Sequence, residues 1–197
     1  MKFVLASHNP GKLREMQAVL GELGVEVILQ SELGIAVEVE ENGTTFAENA
    51  RLKAAAVCQA SGLAAIADDS GLCVDALNGG PGVYTARYGG EGLDDAGRCE
   101  LLLRNMRGAS TRAAHFETAI SCVFPDGREL TAAGRCDGTI AYAPMGADGF
   151  GYDPVFFVPR LKKTFAQLSA EEKNAISHRG QALRAFGEKL RTFLSQM

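Results

Sequence analysis

Asp68 and Asp69 stand side by side at the end of the apolar run Leu63 to Ala67, and Ser70 and Gly71 follow them. Carboxylates at the carboxyl end of a strand lie where open α/β sheets place their ligands. Neighbouring side chains on extended backbone point to opposite faces, so one of the pair can face a site while the other faces away. Carboxylate oxygens suit Mg²⁺, a hard cation that keeps most of its waters and bridges to phosphate. Glu38, Glu40 and Glu41 are further carboxylates that a fold can bring near Asp69. The competing reading makes Asp68, Asp69 and Ser70 ordinary capping and turn residues.

Three other groups of residues have chemical potential. Ser7-His8-Asn9-Pro10-Gly11-Lys12 lies between a strand-like and a helix-like segment. A helix start offers free N–H groups, and a Gly and a Lys there favour an anion such as phosphate, although the P-loop pattern GxxxxGK[ST] is absent. Gly149-Phe150-Gly151-Tyr152-Asp153-Pro154 sets two aromatics between glycines outside any periodic segment. A stacked planar base would account for exposing them, and folding back onto the core is the alternative. Lys173, Ser177, His178 and Arg179 fall within seven residues. Arg179 can donate two parallel hydrogen bonds to a phosphate or a carbonyl edge, and a solvated helix end is the alternative. Asn49 and Lys53, at i and i+4, share one face of an Ala-rich helix. An anion cradle, hard-metal ligands, a stacking platform and donors for a base edge are together what metal-assisted chemistry on a nucleotide requires.

Composition sets the frame for these groups. The 197 residues are 46% hydrophobic and carry 20 Lys and Arg against 24 Asp and Glu, a net charge of -4. That balance suits a globular protein with a substantial core and argues against a nucleic-acid coat, which needs a basic field. It leaves room for a local cluster of Lys and Arg to bind a small anion. No apolar run reaches the ~18 residues of a membrane span, and Ser7 and His8 follow the first apolar residues too soon for a signal peptide, so a cytoplasmic protein is expected. Cys58, Cys73, Cys99, Cys122 and Cys136 are dispersed and never form CxxC, which reads as small buried hydrophobes and not as a paired-cysteine zinc site.

The elements that must position these residues follow from periodicity. Lys2 to Ala6 reads as a strand. Leu13, Met16, Val19, Leu20 and Leu23 recur at helical spacing until Gly24, and Val25 to Leu29 reads as a second strand. This opening is the grammar of an α/β layer. Thr45-x-x-Glu48 is a capping box opening a helix to about Ala60, and Ser169-x-x-Glu172 opens a short one. Leu63 to Ala67 is expected as a buried strand that Asp68 ends. Asp94 or Asp95 can start a helix carrying Leu101, Leu102 and Leu103. His115 to Phe124 and Glu129 to Cys136 read as a hairpin about Pro125-Asp126-Gly127, and Val155 to Val158 is again strand-like. Ser177 to Gly180 is expected to interrupt the helical pattern before a last helix with Leu183, Phe186, Leu190, Phe193 and Leu194 on one face. No repeat or linker divides the chain, so residues 1–197 are read as one domain with the hairpin, roughly 113–142, forming a second lobe beside a cleft.

Five segments in order resemble a known family: Ser7 to Lys12, Thr45-Phe46-Ala47-Glu48-Asn49-Ala50, Ala67-Asp68-Asp69-Ser70-Gly71-Leu72, Gly149 to Pro154 and Ser177-His178-Arg179-Gly180-Gln181-Ala182. They are similar to those of the Ham1/RdgB inosine triphosphate pyrophosphatases, which act on non-canonical purine nucleotides, and the likeness runs from Lys2 to the last helix. Tyr84-Thr85-Ala86-Arg87 has Thr where the family usually has Ser, and His8 stands at a variable place. The resemblance implies an α/β fold with a mixed central sheet flanked by helices, two lobes with a central cleft, and a homodimer; the charge and hydropathy above add the expectation of a cytoplasmic protein that binds neither nucleic acid nor membrane. It implies Mg²⁺-dependent hydrolysis of ITP, dITP and XTP to the monophosphate and pyrophosphate, with one Mg²⁺ per subunit, cleansing the nucleotide pool and keeping deaminated bases out of DNA and RNA.

Carried over by motif, Ser7, His8, Asn9, Pro10, Gly11 and Lys12 would cradle the triphosphate, with Lys53 adding charge. Asp69 would be the catalytic carboxylate and metal ligand, and Glu40 or Glu41 the second ligand. Ser70 would touch the substrate. Phe150, Gly151, Tyr152 and Asp153 would hold the base and sugar, and Lys173, His178 and Arg179 would complete the nucleotide site. Hypoxanthine and xanthine carry an acceptor at C6 where adenine carries a donor, so Arg179 and backbone N–H groups would reject adenine by leaving donors unpaired. Two other readings are a Maf-like pyrophosphatase, whose Ser-x-Ser-Pro-Arg-Arg opening is absent, and a nucleotide sensor, which need not keep Asp68, Asp69 and Lys12.

Overall fold

The computed structural model describes residues 1–90 and 92–196. Seven strands form one sheet: β1 (Lys2–Leu5), β2 (Glu26–Leu29), β3 (Ala64–Val74), β4 (Ala113–Val123), β5 (Glu129–Ile140), β6 (Phe156–Val158) and β7 (Lys163–Thr164), in the order β2-β1-β3-β4-β5-β6-β7. β1 pairs in parallel with β2 and β3, whereas β5 with β6 and β6 with β7 are antiparallel. The sheet is therefore mixed and open, with helices α1 (Pro10–Leu20), α2 (Phe46–Ser61), α3 (Asp95–Asn105), α4 (Ala170–Ile176) and α5 (His178–Leu194).

The chain divides into two compact units. The first holds Met1–Asp69, Thr118–Gly134 and Arg179–Met197, and the second holds Ser70–Glu117 and Arg135–His178. β3, β4 and β5 each give residues to both. The turn end of the β4–β5 hairpin thus belongs to the first unit and its open end to the second.

In the first unit the period-2 rule sorts the core onto two faces. Phe3, Leu5 and Ile66 pack with Met16 and Leu20 of α1 and with Ala182, Leu183, Phe186 and Leu190 of α5. Val4, Ala65 and Ile28 pack instead with Val57 and Cys58 of α2. α1 ends in a 3-10 turn, Gly21–Leu23, and Gly24 at φ +71° closes it in the left-handed region that favours glycine. The second unit builds its own core from Leu72, Val74, Leu102, Phe116, Phe156 and Phe165.

Three expectations change. β3 does not stop before Asp68 but runs through Asp68, Asp69 and Ser70 to Val74, and both Asp residues are buried. Cations from distant segments pair with both, as shown below. The strand-like segments of the hairpin extend further, to Ala113–Val123 and Glu129–Ile140. His178, Arg179 and Gly180 do not interrupt a helix but form the first turn of α5; the break falls at Ser177, whose backbone is extended. Both capping boxes form as expected, with Thr45 and Glu48 at α2 and Ser169 and Glu172 at α4.

Candidate active site

Asp68 and Asp69 face opposite sides of β3, as adjacent strand residues must, and each side has its own helices. On the α2 side, Asn49 Nδ2 donates to Asp69 Oδ2 at 3.2 Å and Lys53 Nζ donates to Asp69 Oδ1 at 3.0 Å. These two residues are one helical turn apart, so a single face of α2 delivers both. Lys53 Nζ also donates to Glu41 Oε1 at 2.8 Å. Asn49 turns its other end to the loop before α2, where its Oδ1 accepts from Gly43 N at 2.8 Å. Thr118 Oγ1 of β4 donates to the Asp69 carbonyl at 3.0 Å and fixes the strand behind the carboxylate.

On this side burial weighs on the Asp69 charge more than its partners relieve it. Burial pushes the Asp69 pKa up; Lys53 pulls it down, Glu41 pushes it up again, and the net position is above the usual carboxylate value. Burial alone would lower Lys53, but Asp69 and Glu41 outweigh it and hold the ammonium above its ordinary value. The shared cation gains from two anions while Asp69 remains undercompensated. A pocket of 390 Å³ opens here, with Ser7, His8, Lys12, Glu38, Glu41 and Lys53 among its walls. Carboxylate oxygens of this kind fit a hard divalent cation such as Mg²⁺. Glu41 lines this pocket and bonds Lys53, which in turn reaches Asp69 just behind the wall; Glu40 is exposed and makes no such link.

On the opposite side, Asp68 is fully buried between two cations. Lys12 Nζ of α1 lies 2.9 Å from Oδ1, and Arg179 Nε of α5 donates to Oδ2 at 3.2 Å. Arg179 Nη1 also donates to Glu15 Oε2 of α1 at 3.1 Å. Burial works against the Asp68 charge, but Lys12 and Arg179 together hold its carboxyl far below the usual range. Arg179, only 6% exposed, is itself raised above its ordinary value because Asp68 and Glu15 outweigh its burial. The network ties α1, β3 and α5 together. Arg179 therefore spends its Nε and Nη1 on carboxylates in the first unit, which does not suit the expected reading of a base edge.

The start of α1 also differs from a simple backbone cradle. Asn9 is the N-cap, and its Oδ1 accepts from Gly11 N at 2.8 Å and Lys12 N at 3.4 Å. Pro10 has no N–H, and Leu13 N already donates to Asn9 O. The helix start is satisfied internally. Asn9, Pro10 and Gly11 thus shape the turn, and the side chains of Ser7, His8 and Lys12 are the ones that reach the pocket. Gln30 Nε2 lies 3.1 Å from His8 Nε2, so His8 accepts there when the amide donates.

In the second unit, Phe150 is 54% exposed on the Gly-rich loop. Asp153 organises that loop: its Oδ2 accepts from Phe150 N at 2.9 Å and pairs with Lys173 Nζ of α4. Gly149 at φ +81° lies so close to Asp153 that a Cβ there would overlap the carboxylate. Asp95 Oδ2 accepts from Gly151 N at 2.7 Å and pins the loop's other glycine. Lys173 Nζ sits 4.6 Å from the Phe150 ring centroid. Tyr152 corrects its expectation as a base-stacking residue. It is 3% exposed, packs in the core, and its hydroxyl donates to the Thr85 carbonyl at 3.0 Å. Asp153, 3% exposed, likewise braces the loop and presents little surface to a ligand. His178 stacks on Phe116 with centroids 4.8 Å apart, and Ser70 is half-buried in β3.

Glu15, Thr118 and Gln30 were not singled out from sequence. Thr118, a polar residue among the buried positions of an apolar strand, carried a readable signal; Glu15 and Gln30 become meaningful only when the fold brings Arg179 and His8 to them.

Residues 3–189 match the model of the Ham1 family. A dITP/XTP pyrophosphatase from an Exiguobacterium species is 47% identical over 98% of this chain and 99% of its own. Two solved structures are similar throughout. One is a HAM1 protein from Coxiella burnetii, with a TM-score of 0.90 and 44% identity over all of both chains. The other is the Staphylococcus aureus Ham1 protein, with a TM-score of 0.89 and 44% identity over 100% of this chain and 99% of that one. With β3 carrying its two carboxylates to opposite helical layers and the likeness unbroken from end to end, the chain belongs to the Ham1 family.

Proposed function

We propose that this protein hydrolyses non-canonical purine nucleoside triphosphates, dITP, XTP and ITP, to the monophosphate and pyrophosphate, with Mg²⁺ as cofactor, and so cleanses the nucleotide pool of deaminated bases. The observation that carries the reading is the gathering of Asp69, Lys53 and Glu41 beside a pocket walled by Ser7, His8 and Lys12. The relatives named dITP/XTP pyrophosphatases support the substrate class.

Asp69 and Glu41 are the residues to hold Mg²⁺, and when bound the ion supplies charge neutralisation on the phosphates. Asp69 orients the attacking water and takes its proton. Lys12 and Lys53 receive the negative charge that gathers on the leaving pyrophosphate. Ser7 and His8 position the phosphate chain. Phe150 offers a stacking face for the purine, with Lys173 and Asp153 holding the loop in place. Arg179 acts at one remove, holding Asp68 and with it the strand that presents Asp69. A cytoplasmic homodimer is the proposed working form.

The test is hydrolysis of dITP and XTP with Mg²⁺, with ATP and GTP in parallel, resolving pyrophosphate from orthophosphate. Monophosphate plus pyrophosphate, with ATP and GTP nearly untouched, is the expected result. Orthophosphate as the first product, or equal turnover of ATP, contradicts it.

A further inference from the structure

Beyond the pocket in the first unit, the second unit gathers a different donor set. Cys73 of β3 and His115 and Glu117 of the neighbouring β4 bring a sulfur, a ring nitrogen and a carboxylate oxygen all within 4.8 Å of one another. His115 and Glu117 are i and i+2, so the pleat puts both on one face of β4. Cys73 is buried, His115 is largely buried, and the Glu117 side chain is 42% exposed, which leaves a path from solvent. The His115 Nδ1 atom is buried with no hydrogen-bond partner.

A simple ion pair explains this arrangement poorly. His115 Nε2 and Glu117 Oε2 are 3.8 Å apart, too far for a hydrogen bond. A tetrahedral Zn²⁺ with bonds of about 2.0–2.3 Å holds its ligand atoms roughly 3.3–3.7 Å apart, so small rotamer shifts would close the set round such an ion. A thiolate, an imidazole and a carboxylate together select a borderline-soft transition ion over Mg²⁺, which demands oxygens.

We propose that Cys73, His115 and Glu117 form a binding site for a zinc-type divalent transition metal, separate from the Mg²⁺ ligands Asp69 and Glu41, with a water completing the coordination. Burial pushes the Cys73 thiol up to about 11, with Glu117 adding to the shift and Arg135 opposing it, so the metal-free side chain is the neutral thiol. Binding forms the S–metal bond and releases the thiol proton to solvent. An occupied site bridges β3 and β4, and stabilises the folded chain by mass action.

The experiment titrates the metal-free full-length protein with Co²⁺ alone and reads the near-ultraviolet thiolate-to-metal absorption band, then displaces the ion with Zn²⁺. One equivalent per chain, a thiolate band, loss of that band in Cys73→Ser and at least tenfold weaker binding in His115→Ala are expected. Zn²⁺ should raise the Tm of the wild type but not of Cys73→Ser, and Mg²⁺-dependent dITP turnover of Cys73→Ser should stay unchanged. Glu117→Gln, at a more exposed position, guards against a folding defect in the other variants and should also weaken Co²⁺ binding. Absence of a thiolate band in the wild type, or its persistence in Cys73→Ser, overturns the proposal. So does Co²⁺ binding that Glu117→Gln and His115→Ala leave unchanged.

Discussion

Asp69 and Asp68 are adjacent in sequence and opposite in role, and their surroundings decide which is which. Asp68 lies between Lys12 and Arg179, the latter also pairing with Glu15, whereas Asp69 and Glu41 both bond Lys53. Asp69→Asn keeps the shape and removes the undercompensated charge. Its kcat for dITP should fall at least ~10²-fold, the lower range for losing a general base. Its Tm should hold or rise, because a buried carboxylate held above its ordinary pKa costs stability at neutral pH. A near-normal kcat or a Tm lowered by several degrees contradicts this account. Arg179→Ala removes one of the two cations beside buried Asp68, together with the Glu15 pair, and should cost about 3 kcal/mol in urea unfolding, the low end of the usual penalty for breaking a buried pair. A change in dITP-over-ATP preference at unchanged stability would return Arg179 to reading the base.

At the scale of elements, α2 is the part whose integrity the site depends on most directly. Its N-cap Thr45 accepts from Glu48 N at 3.1 Å, and Glu48 Oε2 accepts from Thr45 N at 3.2 Å, about one turn before Asn49 and two before Lys53. Thr45→Ala should lower stability by about 1 kcal/mol and reduce kcat, since fraying the first turn loosens Asn49. Equal stability by urea unfolding would show that the cap is redundant. Signals of this kind were legible in sequence because they are local: a capping box, a Gly after a periodic run, a hairpin turn. The length of β3 was not legible, since two aspartates end a strand by every local rule. What keeps them in the sheet arrives from Lys12, Lys53 and Arg179, as far as 111 positions away along the chain. Tyr152 was misjudged for a related reason, because composition marks an aromatic in a loop but not the core it turns into.

For the whole molecule, the candidate site was legible as a set of residue types, and the division of labour among them was not. The Asp68 network makes that division measurable through pH. A carboxyl depressed in the folded state contributes stability above its unfolded pKa of about 3.9 and loses it as pH falls towards the folded value. Stability should therefore be level from neutral pH to about 4 on this group's account, then drop steeply, and Asp68→Asn should flatten that drop. Urea unfolding at a series of acid pH values checks the slope; an unchanged slope in the variant places the acid sensitivity elsewhere.

No helix among the described residues is long and apolar enough to cross a membrane. The proposed release of monophosphate and pyrophosphate implies that water attacks the α-phosphorus in a site built round Asp69, and hydrolysis of dITP in ¹⁸O-labelled water tests this most directly. The account predicts the label in the monophosphate and none in pyrophosphate. Label in pyrophosphate would place the attack on the β-phosphorus, and label in orthophosphate would place it on the terminal one; either contradicts the mechanism.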